Sequence, residues 1–97
     1  SGTSLLIESL SVDKAFMGTN SFSVKKGASP PDVIHAGIQR EMIKIAAQVI
    51  LLCDHTKLER DSFMNFAAPD MIDIVVTDAL SDELKTMYED NDITVLY

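Results

Sequence analysis

A single cysteine, Cys53, among 97 residues excludes an internal disulfide. Nothing then calls for an oxidising compartment, and a reducing cytoplasm is the expected setting. Basic residues are scarce: 8 Lys and Arg stand against 15 Asp and Glu, a net charge of −7. That balance repels nucleic-acid phosphates and anionic lipid, so the stretch is not expected to bind DNA directly. Long apolar runs are missing as well. The longest, Val49-Ile50-Leu51-Leu52-Cys53, falls far short of the roughly 20 residues of a helical membrane span, and no basic-then-apolar leader opens the sequence. No membrane partner is expected. Glycine (4) and proline (3) are few, while 46% of residues are hydrophobic and 24% charged, which excludes a disordered chain and describes one ordered domain.

Four short apolar segments read as strands: residues 14–18, 49–53, 72–76 and 93–96. The second is continuously apolar and the last two are rich in β-branched residues, the pattern of parallel strands covered on both faces. Residues 32–48 carry a helical period, with Ile34, Ile38, Met42, Ile45 and Val49 in one narrow arc predicted to face the core. Ser29-Pro30-Pro31-Asp32 opens this helix and offers either Ser29 or Asp32 as N-cap. A second helix follows Ser81, with Leu84, Met87 and Tyr88 as its apolar face, and a shorter one is expected over residues 4–10. Residues 55–71 fit either a strand crossing to a small subdomain or a loop lying on the sheet. The order strand, helix, strand, irregular segment, strand, helix, strand predicts an α/β fold with an open, mostly parallel sheet and right-handed crossover helices. Ser1-Gly2 reads as a cloning scar. No strand precedes the first helix, so residues 3–97 are expected to be part of a larger domain whose missing βα unit leaves a hydrophobic face or edge uncovered.

Ligands of open α/β sheets bind at the carboxyl ends of the strands, which directs attention to Gly18-Thr19-Asn20-Ser21, Asp54-His55-Thr56-Lys57 and Thr77-Asp78. Polar strand ends are also ordinary turns. Lys57 is the most informative of them, because an anionic ligand needs a cation and few are available; the plain alternative is a solvated lysine paired with Asp54 or Glu59. Lys25, Lys26 and Arg60 are further cations expected near the same rim. His35 and Gln39, four apart on the helix, are predicted to face one another and the rim, with His35 in the first turn where free N–H groups favour an anion. A packed or partly exposed histidine is the plain alternative there. No carboxylate placed to orient His35 is visible nearby in the sequence. His35, His55 and Cys53 lack metal-ligand spacing, so neither metal nor cofactor is expected. There is no nucleophile elbow, Walker loop or dinucleotide fingerprint, and the five methionines read as core filler.

Asp13-Lys14-Ala15-Phe16-Met17-Gly18-Thr19-Asn20, Pro31-Asp32 before the amphipathic helix, Val49 through Lys57, and Ile74-Val75-Val76-Thr77-Asp78 together resemble the C-terminal sensor domain of DeoR-type transcriptional repressors. That family has a strand ending in a Phe-x-Gly-x-Asn-Gly-like loop, one ending in Asp-Ser-Ser-Lys and one ending in Thr-Asp, in this order. The resemblance implies a Rossmann-like fold, similar to ribose-5-phosphate isomerase and related sugar-phosphate isomerases. It also implies a cytoplasmic regulator of carbohydrate metabolism, a homo-oligomer whose absent N-terminal winged helix-turn-helix binds operator DNA and whose sensor binds a phosphorylated sugar. Gly18, Thr19, Asn20, His35, Gln39, Asp54 and Lys57 are the ligand-binding candidates. Gly18, Asn20, Asp54 and Lys57 match the family pattern. Ser21 replaces its usual glycine, and His35 and Gln39 stand where Glu and Lys are usual. The family's Gly-Thr-Thr-rich phosphate loop is absent here. The alternatives are a sugar-phosphate isomerase-like enzyme, which needs a base where this chain has His35, and a phosphoacceptor receiver, which needs an acidic pair and a Lys-Pro that are not found.

Overall fold

The computed structural model describes residues 10–97. Its elements follow as β1 (Val12–Gly18), β2 (Ser21–Ser23), β3 (Gly27–Ser29), α1 (Val33–Ile45), β4 (Ala46–Leu52), β5 (Ile74–Val76), α2 (Asp82–Asp90) and β6 (Thr94–Leu96). The strands β1, β4, β5 and β6 form an all-parallel sheet in that order, with Met17 opposite Leu51, Leu51 opposite Val75 and Val75 opposite Val95. The α/β architecture read from the βαβ order is therefore present. Alternation along the strands sends Ala15, Met17, Val49, Leu51, Val75 and Val95 to one face, where they pack with Ala36 of α1, Tyr88 of α2, Phe22 of β2 and Phe66. The rings of Phe22 and Tyr88 meet edge to face, 5.7 Å between centroids and 80° between planes. Both crossovers lie on this face, as right-handed connections advancing the same way across a sheet must.

The opposite face is only partly covered among the described residues. Ile50 is buried there, whereas Phe16, opposite it on β1, is 62% exposed and Leu52 and Leu96 are also exposed. Coverage on both faces, expected from the apolar runs, is thus partial. The apolar arc assigned to α1 also needs correcting: Ile34 is 84% exposed and Ile38 is exposed, while α1 packs through Ala36, Met42 and Ile43. Ala36 is small enough to bring the helix axis close to the sheet, and that approach selects a face the hydrophobic count does not. The helix also ends sooner than predicted. Residues 46–48 extend β4 because their backbones pair with β1, Val12 opposite Ala46 and Lys14 opposite Gln48. Of the two N-cap alternatives Asp32 is the cap, its Oδ1 accepting the His35 N–H at 3.0 Å. Ser81 caps α2 by accepting the Leu84 N–H at 3.2 Å, and Tyr88 is buried as its apolar face predicts.

The hairpin of β2 and β3 was not predicted. Its strands are three residues each and serine-rich, and their polarity is matched internally: the Ser21 and Ser29 hydroxyls lie 2.7 Å apart. Residues 55–71 are a loop, not a strand crossing to a subdomain. The loop is pinned to this hairpin by single bridges between Phe22 and Leu58 and between Ala28 and Ala67. Short 3₁₀ turns occupy His55–Lys57 and Pro69–Met71. Phe66 is buried, whereas Phe63 is 98% exposed. The helix expected over residues 4–10 lies outside the described residues except for Leu10.

Candidate functional site

Parallel pairing brings the carboxyl ends of the central strands side by side, since Gly18 is opposite Leu52 and Leu52 is opposite Val76. The loops after these three residues therefore share one rim. Gly18 ends β1, and its carbonyl accepts a hydrogen bond from Gln39 Nε2 at 3.2 Å, tying α1 to the strand end. Gln39 Oε1 is buried and has no partner among the described residues, which leaves an acceptor unfilled beside the rim. The Thr19 hydroxyl donates to the carbonyls of Ser21 (2.8 Å) and Ser29 (2.7 Å), sharing one proton between them. Asn20 donates its backbone N–H to Ser29 O at 3.2 Å and is otherwise exposed. Ser21, which replaces the family's glycine, lies in β2 and has no positive φ, so the chain turns here without needing glycine.

Asp54 follows β4 and caps the His55–Lys57 turn, accepting from the Thr56 N–H at 2.9 Å and from the Thr56 hydroxyl. Those two bonds hold its carboxyl below the ordinary range, helped by the charge of Lys57 and opposed by that of Asp78. Lys57 is half-buried, and among the described residues no ion pair joins it to Asp54 or Glu59. Lys57 thus acts on Asp54 through its charge without a close contact. Glu59 instead accepts from the buried Tyr88 hydroxyl at 2.8 Å. Cys53 sits just inside the rim, and burial together with Asp54 and Asp78 pushes its thiol up to about 11.

His35 and Gln39 do not face one another. His35 turns back to Asp32, with Nδ1 at 2.7 Å from both carboxylate oxygens, so a carboxylate orienter exists where the sequence showed none. With 60% of its side chain exposed, this histidine is a surface pair and not a desolvated base. The backbone and side-chain bonds from His35 hold the Asp32 carboxyl below its usual range. A second pair, passed over as a ligand set, links the loops after β4 and β5: Asp78 accepts the His55 N–H at 2.7 Å and faces His55 Nδ1 at 3.0 Å. Its only sequence signature is that both residues follow adjacent strands. A concavity of about 270 Å³ lined by His55, Leu58, Leu80 and Ser81 opens beside this pair. Among the described residues, no hydrogen bond or ion pair links the Gly18–Asn20 group to the Asp54–Lys57 group, and the rim between them is an open surface. No cluster of three or more His, Cys, Asp or Glu side chains placed to hold a metal occurs among the described residues.

Comparison with known proteins matches residues 2–79 to the DeoR C terminal sensor domain. The HTH-type transcriptional regulator GlpR of Haloferax volcanii is 37% identical over 76 residues, covering 78% of this chain and 30% of its own length. The HTH-type transcriptional repressor GlcR of Bacillus subtilis is 39% identical over 83 residues, covering 82% of this chain and 32% of its own length. The HTH-type transcriptional regulator IolR of Bacillus subtilis is 25% identical over 83 residues, covering 86% and 33%. The chain thus spans about a third of the length of these curated relatives. With the family match extending over β1 through β5 and the rim it builds, the chain belongs to the DeoR C-terminal sensor domain family.

Proposed function

We propose that this chain is the effector-sensing domain of a cytoplasmic transcriptional repressor of carbohydrate metabolism, and that its effector is a phosphorylated sugar bound at the carboxyl rim of the parallel sheet. The observation that supports this reading is the half-buried Lys57, which makes no ion pair within salt-bridge distance among the described residues, in a rim otherwise furnished with hydrogen-bonding groups. A partly shielded cation whose nearest carboxylate influence is the exposed Asp54 still has charge to offer an anionic group. Asn20 and the unfilled Gln39 Oε1 are suited to sugar hydroxyls, and Asp54, ionised at neutral pH, can accept from one. The net charge of −7 disfavours direct contact with DNA and so supports the reading in which a separate N-terminal domain binds the operator and this domain acts on it indirectly. Homo-oligomerisation is part of the same reading, as the usual way to present two reading heads to a palindromic site.

The regulator is expected to leave its effector chemically unchanged. Aldose–ketose isomerisation needs a base positioned and desolvated to move a proton between adjacent carbons, and His35, exposed and held by Asp32, does not meet that requirement. Calorimetry on the intact regulator with a panel of phosphorylated pentoses and hexoses should find a ligand. Lys57→Ala should weaken it by about 1 to 3 kcal/mol, the scale of a hydrogen bond to a charged group. Unchanged affinity would remove Lys57 from the site, and binding of none of the panel would remove the sugar phosphate.

A further inference from the structure

Three of the eight basic residues, Lys26, Arg40 and Lys44, converge on a concavity of about 380 Å³. It lies between α1, the turn joining β2 to β3, and the segment leading into β5. Lys26 was expected near the rim, but it stands at the tip of the hairpin and lines this second space. The floor is apolar, made by Ile43, Phe66 and Met71, and among the described residues no carboxylate lines it. Glu41, which does not line the concavity, pairs with Lys44 at 3.2 Å through one carboxylate oxygen while the other is buried with no partner among the described residues. Arg40 donates to the Asn65 carbonyl at 2.9 Å, which fixes its guanidinium at the wall. Asn65 also lines the concavity, and its side-chain Oδ1 is buried with no partner among the described residues.

This place is separate from the rim. Lys44 comes two residues before β4 begins and Asp54 two residues after it ends, so the seven-residue strand, at about 3.3 Å per residue, stands between them. None of the seven rim candidates lines the concavity. Its volume falls within the roughly 300–1,000 Å³ of small-molecule sites. A bare inorganic anion would leave the apolar floor wet, and a neutral apolar molecule would leave the cations unused. In a chain of net charge −7, three cations around an apolar floor select one chemistry.

We propose that this concavity is a second ligand site, taking an amphipathic organic anion whose carboxylate or phosphate head meets Lys26, Arg40 and Lys44 while its apolar body covers Met71 and the exposed part of Ile43. The site is independent of the sugar-phosphate reading of the rim. The test is an amide-resonance titration of the full chain with three probes: octanoate, 1-octanol and inorganic phosphate. Octanoate should shift residues 40–44 and 65–71 saturably, with octanol and phosphate each at least about tenfold weaker. Lys26→Gln, at an exposed lysine, and Arg40→Gln should each weaken octanoate at least about threefold, the former without moving the unfolding midpoint. Octanol binding as well as octanoate, phosphate matching it, or shifts centred on Phe16, Leu52 and Leu96 would each overturn the proposal. So would unchanged affinity in Lys26→Gln and Arg40→Gln together.

Discussion

Asp78 receives the His55 N–H and faces its imidazole, and those two interactions, the backbone bond first, hold its carboxyl below the ordinary range. The folded chain therefore binds fewer protons than the unfolded chain between the lowered value and the ordinary one near about 4, so stability rises with pH across that interval. The contribution is complete at neutral pH and disappears as acid takes the protein through the lowered value. Asp32 and Asp54 act in the same direction. Urea midpoints measured for wild type and Asp78→Asn should differ most near neutrality and converge toward about pH 2; a difference constant over that range would mean the carboxylate's charge is not what matters. Cys53 carries the opposite shift. With its thiol pushed up to about 11, the thiolate fraction at pH 8 is more than a hundredfold below that of a free cysteine, and the greater nucleophilicity of a high-pKa thiolate restores roughly a factor of ten. Iodoacetamide should therefore alkylate Cys53 roughly ten- to twentyfold more slowly than an unstructured cysteine peptide. Equal rates would show that the rim does not bury the thiol.

At the level of elements, the hairpin depends on Gly27. Its φ is +94°, and a Cβ there would stand 1.9 Å from the Ala67 carbonyl oxygen, the acceptor of the Ala28 N–H at 3.0 Å. Gly27→Ala thus combines a left-handed backbone penalty with loss of the bond tying β3 to the loop, an expected cost of about 2 to 4 kcal/mol. Gly37→Ala is the control: nothing lies within 4 Å of a Cβ at that helical position, and alanine there should stabilise by about 0.5 to 1 kcal/mol. Chemical denaturation of both variants separates the two, and a loss under about 0.5 kcal/mol for Gly27→Ala would contradict the close approach. The hairpin is not legible in the sequence because what makes it is not periodic; its serines pair across eight residues and its glycine answers a carbonyl forty positions away. The parallel strands were legible because Val49 to Leu52 and Ile74 to Val76 are apolar whatever surrounds them. Where α1 stops was not, since Ala46-Ala47-Gln48 suits a helix and is drawn into β4 only by β1. The rim loops could be read for the same reason as the strands, but their partners could not. His55 meets Asp78 through sheet register, and Gln39 meets the Gly18 carbonyl through the seating of α1.

Among the described residues the sheet has one densely packed face and one on which Ile50 is buried but Phe16, Leu52 and Leu96 are exposed, and the two should differ in what a truncation costs. Leu51 is fully buried near the carboxyl end of β4, flanked by Met17 and Val75 across the pairing and packed in the cluster that both helices cover. Leu51→Ala removes that contact and leaves a space the surrounding strands cannot close, so about 2 to 5 kcal/mol should be lost. Phe16 is only one strand away, the immediate neighbour of Met17, yet it points to the other side and is 62% exposed. Truncating it gives up a partly buried surface and some strand propensity without opening a cavity, together about 1 to 2 kcal/mol. Area alone would rank the larger side chain first; the direction of the pleat reverses the order. Urea denaturation of the two variants of the 97-residue chain measures the contrast directly. If Phe16→Ala proved as costly as Leu51→Ala, the face bearing Phe16, Leu52 and Leu96 would be covered in solution, and a one-sided core would be the wrong account of what holds this sheet together.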